Sequence, residues 1–153
     1  MFSAKQKMKA SDRVTNNEGS RRNSQPLVPA SVATNDALDM ETLNAFAELR
    51  RVDGSNLMVE MIDLYLIDAA RRVSQIRQAS IATEWLMLKR AAHKLKGRSD
   101  NLGVHKVAEV CQKLEWMDRH DSPQTLAALV RLLEYESAMA NAALAAVRQR
   151  RLD

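Results

Sequence analysis

Residues 56–80 read NLMVEMIDLYLIDAARRVSQIRQAS. Within them Met58, Ile62, Tyr65, Ala69, Val73 and Ile76 recur at steps of three and four. That is the period of one helical face, not the alternation of a strand. Leu57, Met61 and Leu64 widen the stripe, so the spacing predicts a long helix with one broad buried face. Gly54 breaks the pattern upstream, and Ser55 is the expected N-cap.

The segments on either side repeat the same logic. Upstream, LDMETLNAFAELRR (residues 38–51) reads as a shorter helix capped by Asp39, with Leu38 and Leu43 placed for a hydrophobic staple. Downstream, a break at SIAT (80–83) leads to a third helix with Thr83 as its expected cap and Glu84 favouring the positive end. Its apolar seam is Trp85, Leu88, Ala92, Leu95, Ser99 and Leu102. Gly103 marks a turn. A fourth helix, VHKVAEVCQKLEWMDR (104–119), buries Val107, Cys111 and Leu114, and HDSP ends it. Ser122 and Pro123 then read as N-cap and first helical residue of a last helix running to about Arg148. Its seam is Leu126, Val130, Leu133, Ser137, Ala140, Leu144 and Val147. Short connections force antiparallel neighbours. The expected fold is all-α: an antiparallel four-helix bundle with an additional short N-terminal helix.

Composition agrees with that fold. The chain has 153 residues, 46% hydrophobic and only 4% aromatic, a mix that favours helix over sheet. The net charge of +4 is unevenly spread. Residues 1–36 hold six Lys/Arg against three Asp/Glu, and residues 37–153 hold seventeen against sixteen. The first 36 residues, rich in Ser, Asn, Lys and Arg, are expected to form a flexible basic leader; residues 37–153 form the bundle domain. A nearly neutral, aromatic-poor domain argues against nucleic-acid binding. Cys111 is the only cysteine, which excludes an intrachain disulfide and fits a reducing compartment. The N-terminus carries no apolar run of a secretory signal, and no stretch of 18 apolar residues occurs. The expected location is the cytoplasm, and the chain is expected to be monomeric.

One titratable side chain stands out. His93 lies in AAHKLKGRSDNLG (91–103), with Lys89, Arg90, Lys96 and Gly97 at three and four residues from it. It falls on the solvent side of the third helix, in a stripe with Lys89, Lys96 and Asp100. Flanking cations disfavour a protonated imidazole, and a neutral one offers a lone pair for nucleophilic attack. On a phosphoryl group, Lys96 would both screen the incoming charge and stabilise the product. Gly97 inside a helix costs about 1 kcal/mol relative to Ala, which is understandable if something must approach the ring closely. No Walker loop, Gly-rich ATP loop or kinase signature is present. The chain is therefore expected to accept and donate a phosphoryl group without autonomous kinase activity.

These residues resemble a known family. His93, Leu95, Lys96, Gly97, Arg98, Ser99, Leu102 and Gly103, followed by VAEVCQKLE (107–115), look like a histidine-containing phosphotransfer (HPt) domain. The resemblance spans about residues 37–150. It implies that His93 is the phosphoacceptor, that Lys96 contacts phosphoryl oxygens and that Gly97 leaves room for the partner. It also implies that Glu115 hydrogen-bonds and orients the imidazole. The partners implied are receiver domains of hybrid sensor kinases and response regulators in multistep two-component relays. The receiver supplies Mg²⁺, and this chain binds no cofactor or metal. Lys89, Arg90, Lys94 and Arg98 would steer an acidic partner. Arg98 departs from the pattern, where a small residue is usual.

Other function classes are less well supported. A di-iron bundle needs Glu-x-x-His on two helices, and no Glu here has a His three positions later. His105 and Glu109 share a helix face, but two ligands make no metal site. His105 and His120 are expected to be surface or loop residues without a role, and Cys111 to be core. A non-catalytic helical adaptor, or a nucleic-acid binder using the basic leader, is the alternative.

Overall fold

The computed structural model describes residues 36–152. The expected leader therefore lies outside the described residues, except for Asp36, whose carboxylate accepts a hydrogen bond from Lys106 Nζ at 2.6 Å. Five helices follow: α1 (Met40–Ala47), α2 (Leu57–Ala82), α3 (Trp85–Leu102), α4 (His105–Trp116) and α5 (Pro123–Leu152). Among the described residues no strand forms; one isolated antiparallel bridge joins Arg50 to Asn56.

Helices α2 to α5 form a ring in which α2 packs on α3, α3 on α4, α4 on α5 and α5 back on α2. The order of cross-links shows that neighbours run antiparallel. Asp63 pairs with Arg148 while Arg77 pairs with Glu134; His93 pairs with Glu115 while Asp100 pairs with His105. The seams meet in one core. Met58, Ile62, Ile76, Leu88, Leu95, Leu102, Val107, Leu114, Leu133 and Leu144 are all essentially inaccessible. Burying such side chains is the main favourable term in the fold. The stripe on α2 is narrower than expected: beside the buried Met58–Ile62–Tyr65–Ala69–Ile76 line, Leu57 and Met61 are only half-buried and Leu64 is exposed.

Helix α1 docks across the α3–α4 turn. Asp39 caps it, accepting at Oδ1 from the Glu41 and Thr42 N–H groups at 3.1 and 3.3 Å. The Asp39 N–H donates to the Gly103 carbonyl at 2.8 Å. Gly103 has φ +84, and a Cβ there would sit 2.9 Å from the Asp39 carbonyl oxygen. Only glycine satisfies both the left-handed backbone and the close approach.

Four helix ends differ from expectation, each for a local reason. Asn56, not Ser55, caps α2, accepting from Met58 N–H at 2.9 Å. Ser55 is occupied by the preceding turn: its N–H donates to Asp53 Oδ1 and its hydroxyl to Glu60. Thr83 ends α2 instead of starting α3. It adopts the left-handed conformation, and its N–H returns to Ala79 and Ser80. Glu84 then begins α3 without a side-chain cap bond. Helix α4 stops at Trp116, because Met117 turns to extended backbone to bury its side chain. Helix α5 continues to Leu152, held by Arg148 against Asp63 of α2 and by Arg151 against Asn44.

Candidate functional site

His93 stands at mid-α3, where the helix backbone is already satisfied and only the side chain is free to act. The core seam of α3 places Ala92 and Leu95 inward, which turns His93 outward with its side chain 73% exposed. Its Nδ1 lies 3.0 Å from Glu115 Oε2 in the last turn of α4. A carboxylate can only accept, so Nδ1 carries the proton and donates it. In the neutral ring that places the lone pair on Nε2, which takes no hydrogen bond among the described residues. Glu115 is largely buried, with only 22% of its side chain exposed, and its Oε1 has no hydrogen-bond partner among the described residues. A single carboxylate from the neighbouring helix therefore orients the ring while leaving its outer nitrogen open to solvent.

The surroundings of Nε2 are cationic and unobstructed. Lys89, Arg90, His93 and Lys94 border an open depression of about 440 Å³. Arg90 and Lys94 continue into a groove of about 480 Å³ between α2 and α3, which Arg72, Trp85 and Met87 also line. Lys89, Arg90, Lys94 and Lys96 form no ion pair among the described residues. Their charge is uncompensated and available to an incoming anion. Lys96 is half-buried on the α4 side of the helix, close enough for its charge to be felt at Cys111. Gly97 is exposed, and a Cβ added to it would meet no atom within 4 Å. Packing within this chain gives no reason for glycine there.

Arg98 does not extend into the Gly97 opening. Its Nε lies 3.1 Å from Asp68 Oδ2 on α2. Asp68, a buried carboxylate ringed by Arg71, Arg72 and Arg98, was not foreseen from the sequence. Its spacing to Arg71 and Arg72 is legible, but the link to Arg98 requires α2 against α3.

His105 is not the idle surface residue expected. As the first residue of α4 it bridges two carboxylates, with Nδ1 3.1 Å from Asp100 Oδ1 and Nε2 3.1 Å from Asp39 Oδ2. The bond to Asp100, then that to Asp39, raises its pKa from the ordinary 6.5. With both nitrogens committed, this ring has no lone pair to offer. The two carboxylates flank it on opposite edges, so the three groups do not converge on one point; among the described residues no cluster of metal-ligating side chains forms. Cys111 is buried as expected, and desolvation pushes its thiol up to about 12, so it is inert. His120 lies in the exposed α4–α5 turn. Among the described residues no helix is long and apolar enough to cross a membrane.

The chain is similar to proteins of one kind. The Hpt domain model matches residues 60–148, from the first turn of α2 to the end of the α5 seam. Histidine-containing phosphotransfer protein B (HptB) from Pseudomonas aeruginosa PAO1 has a similar fold in its crystal structure. The TM-score is 0.66 at 27% identity, covering 74% of this chain and 96% of that one. No curated protein is significantly similar in sequence. A helical bundle with an exposed, carboxylate-oriented histidine, matched over more than half its length, is therefore accounted for: the chain belongs to the Hpt domain family, whose members carry phosphoryl groups on histidine in two-component relays.

Proposed function

We propose that His93 accepts a phosphoryl group from the aspartate of one receiver domain and passes it to the aspartate of another. The observation that carries this reading is the open Nε2 of an imidazole whose Nδ1–H is held by Glu115. Attack by the Nε2 lone pair on phosphorus forms the N–P bond as the aspartyl P–O bond breaks, and the receiver carboxylate leaves. The ring gains positive charge, which the Glu115 carboxylate offsets while it keeps the Nδ1 proton. No proton need be lost for transfer, and the reverse step regenerates the neutral ring. Lys96 contributes charge to the phosphoryl oxygens, and Gly97 admits the partner surface. Lys89, Arg90 and Lys94 favour encounter with an acidic receiver face. Mg²⁺ enters with the receiver; this chain binds no cofactor.

Incubation with a phosphorylated receiver and Mg²⁺ should label the protein with an acid-labile, base-stable phosphoramidate. His93→Gln should lose that label at least about a hundredfold, since the nucleophile is removed, while helical content is unchanged because the side chain is exposed. Full labelling of that variant would move the acceptor elsewhere.

A further inference from the structure

Asp68 is an unusual feature of the α2–α3 face. Its side chain is 8% exposed, and an ionised carboxylate so placed needs cationic partners. Three are present. Arg71 Nη2 donates to Oδ1 at 3.3 Å, Arg72 Nε lies 3.6 Å from the same oxygen, and Arg98 Nε lies 3.1 Å from Oδ2. One negative charge thus faces three positive ones, of which Arg71 and Arg98 are exposed and Arg72 is largely buried. The Arg98 contact is an ion pair without hydrogen-bond alignment, since Oδ2 accepts no hydrogen bond. Arg98 is thereby drawn to α2 by charge, yet its side chain remains 56% exposed. The terminal Nη groups of its guanidinium make no hydrogen bond or ion pair of their own among the described residues. They form the flat fork that fits a carboxylate with two parallel bonds.

Its position adds a second constraint. Arg98 follows Gly97 directly and lies five residues beyond His93, roughly 7.5 Å along the helix axis. It stands on the α2 edge of the exposed face of α3, whereas His93 leans to the α4 edge, so a partner seated over Gly97 and spanning that face meets this guanidinium. A long side chain at this place would ordinarily swing freely and lose rotamer entropy on binding; the buried Asp68 restricts it beforehand.

Building on the phosphotransfer reading, we infer that Asp68 holds Arg98 as a preorganised two-pronged contact for a carboxylate on the receiver surface, and that this pair narrows which receivers the chain accepts. Arg98 is the docking contact and Asp68 its positioning residue. The charge surplus and the uncommitted fork select an acidic side chain; the restriction by Asp68 gives that selection its geometry.

The test is phosphotransfer kinetics with a panel of phosphorylated receivers. For the best receiver, Arg98→Ala should raise KM by about five- to tenfold and leave the saturated transfer rate within about twofold, as expected of a docking charge remote from the reacting atoms. Arg98→Lys should recover only part of the loss, because an ammonium cannot form the fork. Asp68→Asn should raise KM severalfold in the wild-type background and have no further effect on KM in Arg98→Ala. A purely structural role for Asp68 would instead lower thermal stability and raise KM equally in both backgrounds, which overturns the inference. So would an unchanged KM in Arg98→Ala. If Asp68→Asn does not fold, the Ala and Lys variants at 98 decide alone. Failure of every receiver to label the wild-type protein would strike the phosphotransfer reading itself; labelled wild type with an indifferent Arg98 strikes only this inference.

Discussion

His93 and His105 sit on adjoining helices, both exposed and both beside carboxylates, yet they are opposite devices. His93 gives one nitrogen to Glu115 and keeps the other open. His105 gives both nitrogens away, to Asp100 and Asp39. The number of acceptors around a ring, more than its exposure, separates a histidine with an open nitrogen from a clamp. The nearest glycines follow suit. Gly97, one turn from His93, faces open space, whereas Gly103, two residues from His105, is pressed against α1.

The strongest way to break this comparison is to exchange the roles. His93→Gln should abolish labelling, while His105→Gln should leave the rate of transfer within about twofold of wild type, because no step of the chemistry uses that ring. Loss of label in His105→Gln with intact folding would show that the distinction by free nitrogen is wrong.

Glu115 sharpens the comparison next. Glu115→Ala should slow transfer at saturating receiver by about tenfold, as the ring loses its fixed tautomer and its counter-charge. Glu115→Gln, whose amide oxygen can still accept from Nδ1, should recover part of that rate. Equal rates for Ala and Gln would mean that the hydrogen bond does not orient the ring.

The glycines should separate in sign. Gly103→Ala forces a Cβ into a left-handed backbone and against Asp39, and chemical denaturation should show a loss of about 2 kcal/mol. Gly97→Ala should gain about 0.5–1 kcal/mol from helix propensity, while the bulkier Gly97→Gln weakens receiver binding. Stabilisation by Gly97→Ala together with unchanged receiver affinity in Gly97→Gln would remove the close-approach argument.

The smallest effect is on pH. The raised pKa of His105 means that its charged bridge is fully in place below about pH 6.5 and is lost as pH rises through the higher folded-state value. Asp39 works in the other direction. Its bonds to Thr42 and then to His105 lower its pKa below 3.8, so its contribution is present above that value and fades as pH falls through the folded one. Melting temperature should therefore fall modestly from pH 6 to 8.5. His105→Gln should flatten that slope, and an unchanged slope would show that the bridge does not contribute.

Much of this could be read before any coordinates. The three-and-four spacing of Ile62, Leu95, Leu114 and Leu133 with their neighbours fixed which faces are buried, and with them the outward direction of His93. Capping was legible at Asp39 and Ser122, whose oxygens accept from the N–H groups expected. It was misread at Ser55, which is engaged by Asp53 and Glu60, and at Thr83, where the connection is so short that the residue ends α2 instead of starting α3. The Glu115 contact was suggested by family resemblance alone, since the two residues are 22 apart in sequence. The Asp68–Arg98 pair and the His105 bridge had no signal along the chain.

The sequence by itself determined the helices, their seams and the exposure of the imidazole, because periodicity is a property of each helix taken separately. Tertiary structure alone decided which nitrogen of which histidine is free and which arginine is restrained. Hydrogen bonds and ion pairs act over about 3 Å, and the side chains that make them here come from helices whose registers are set only when the core closes.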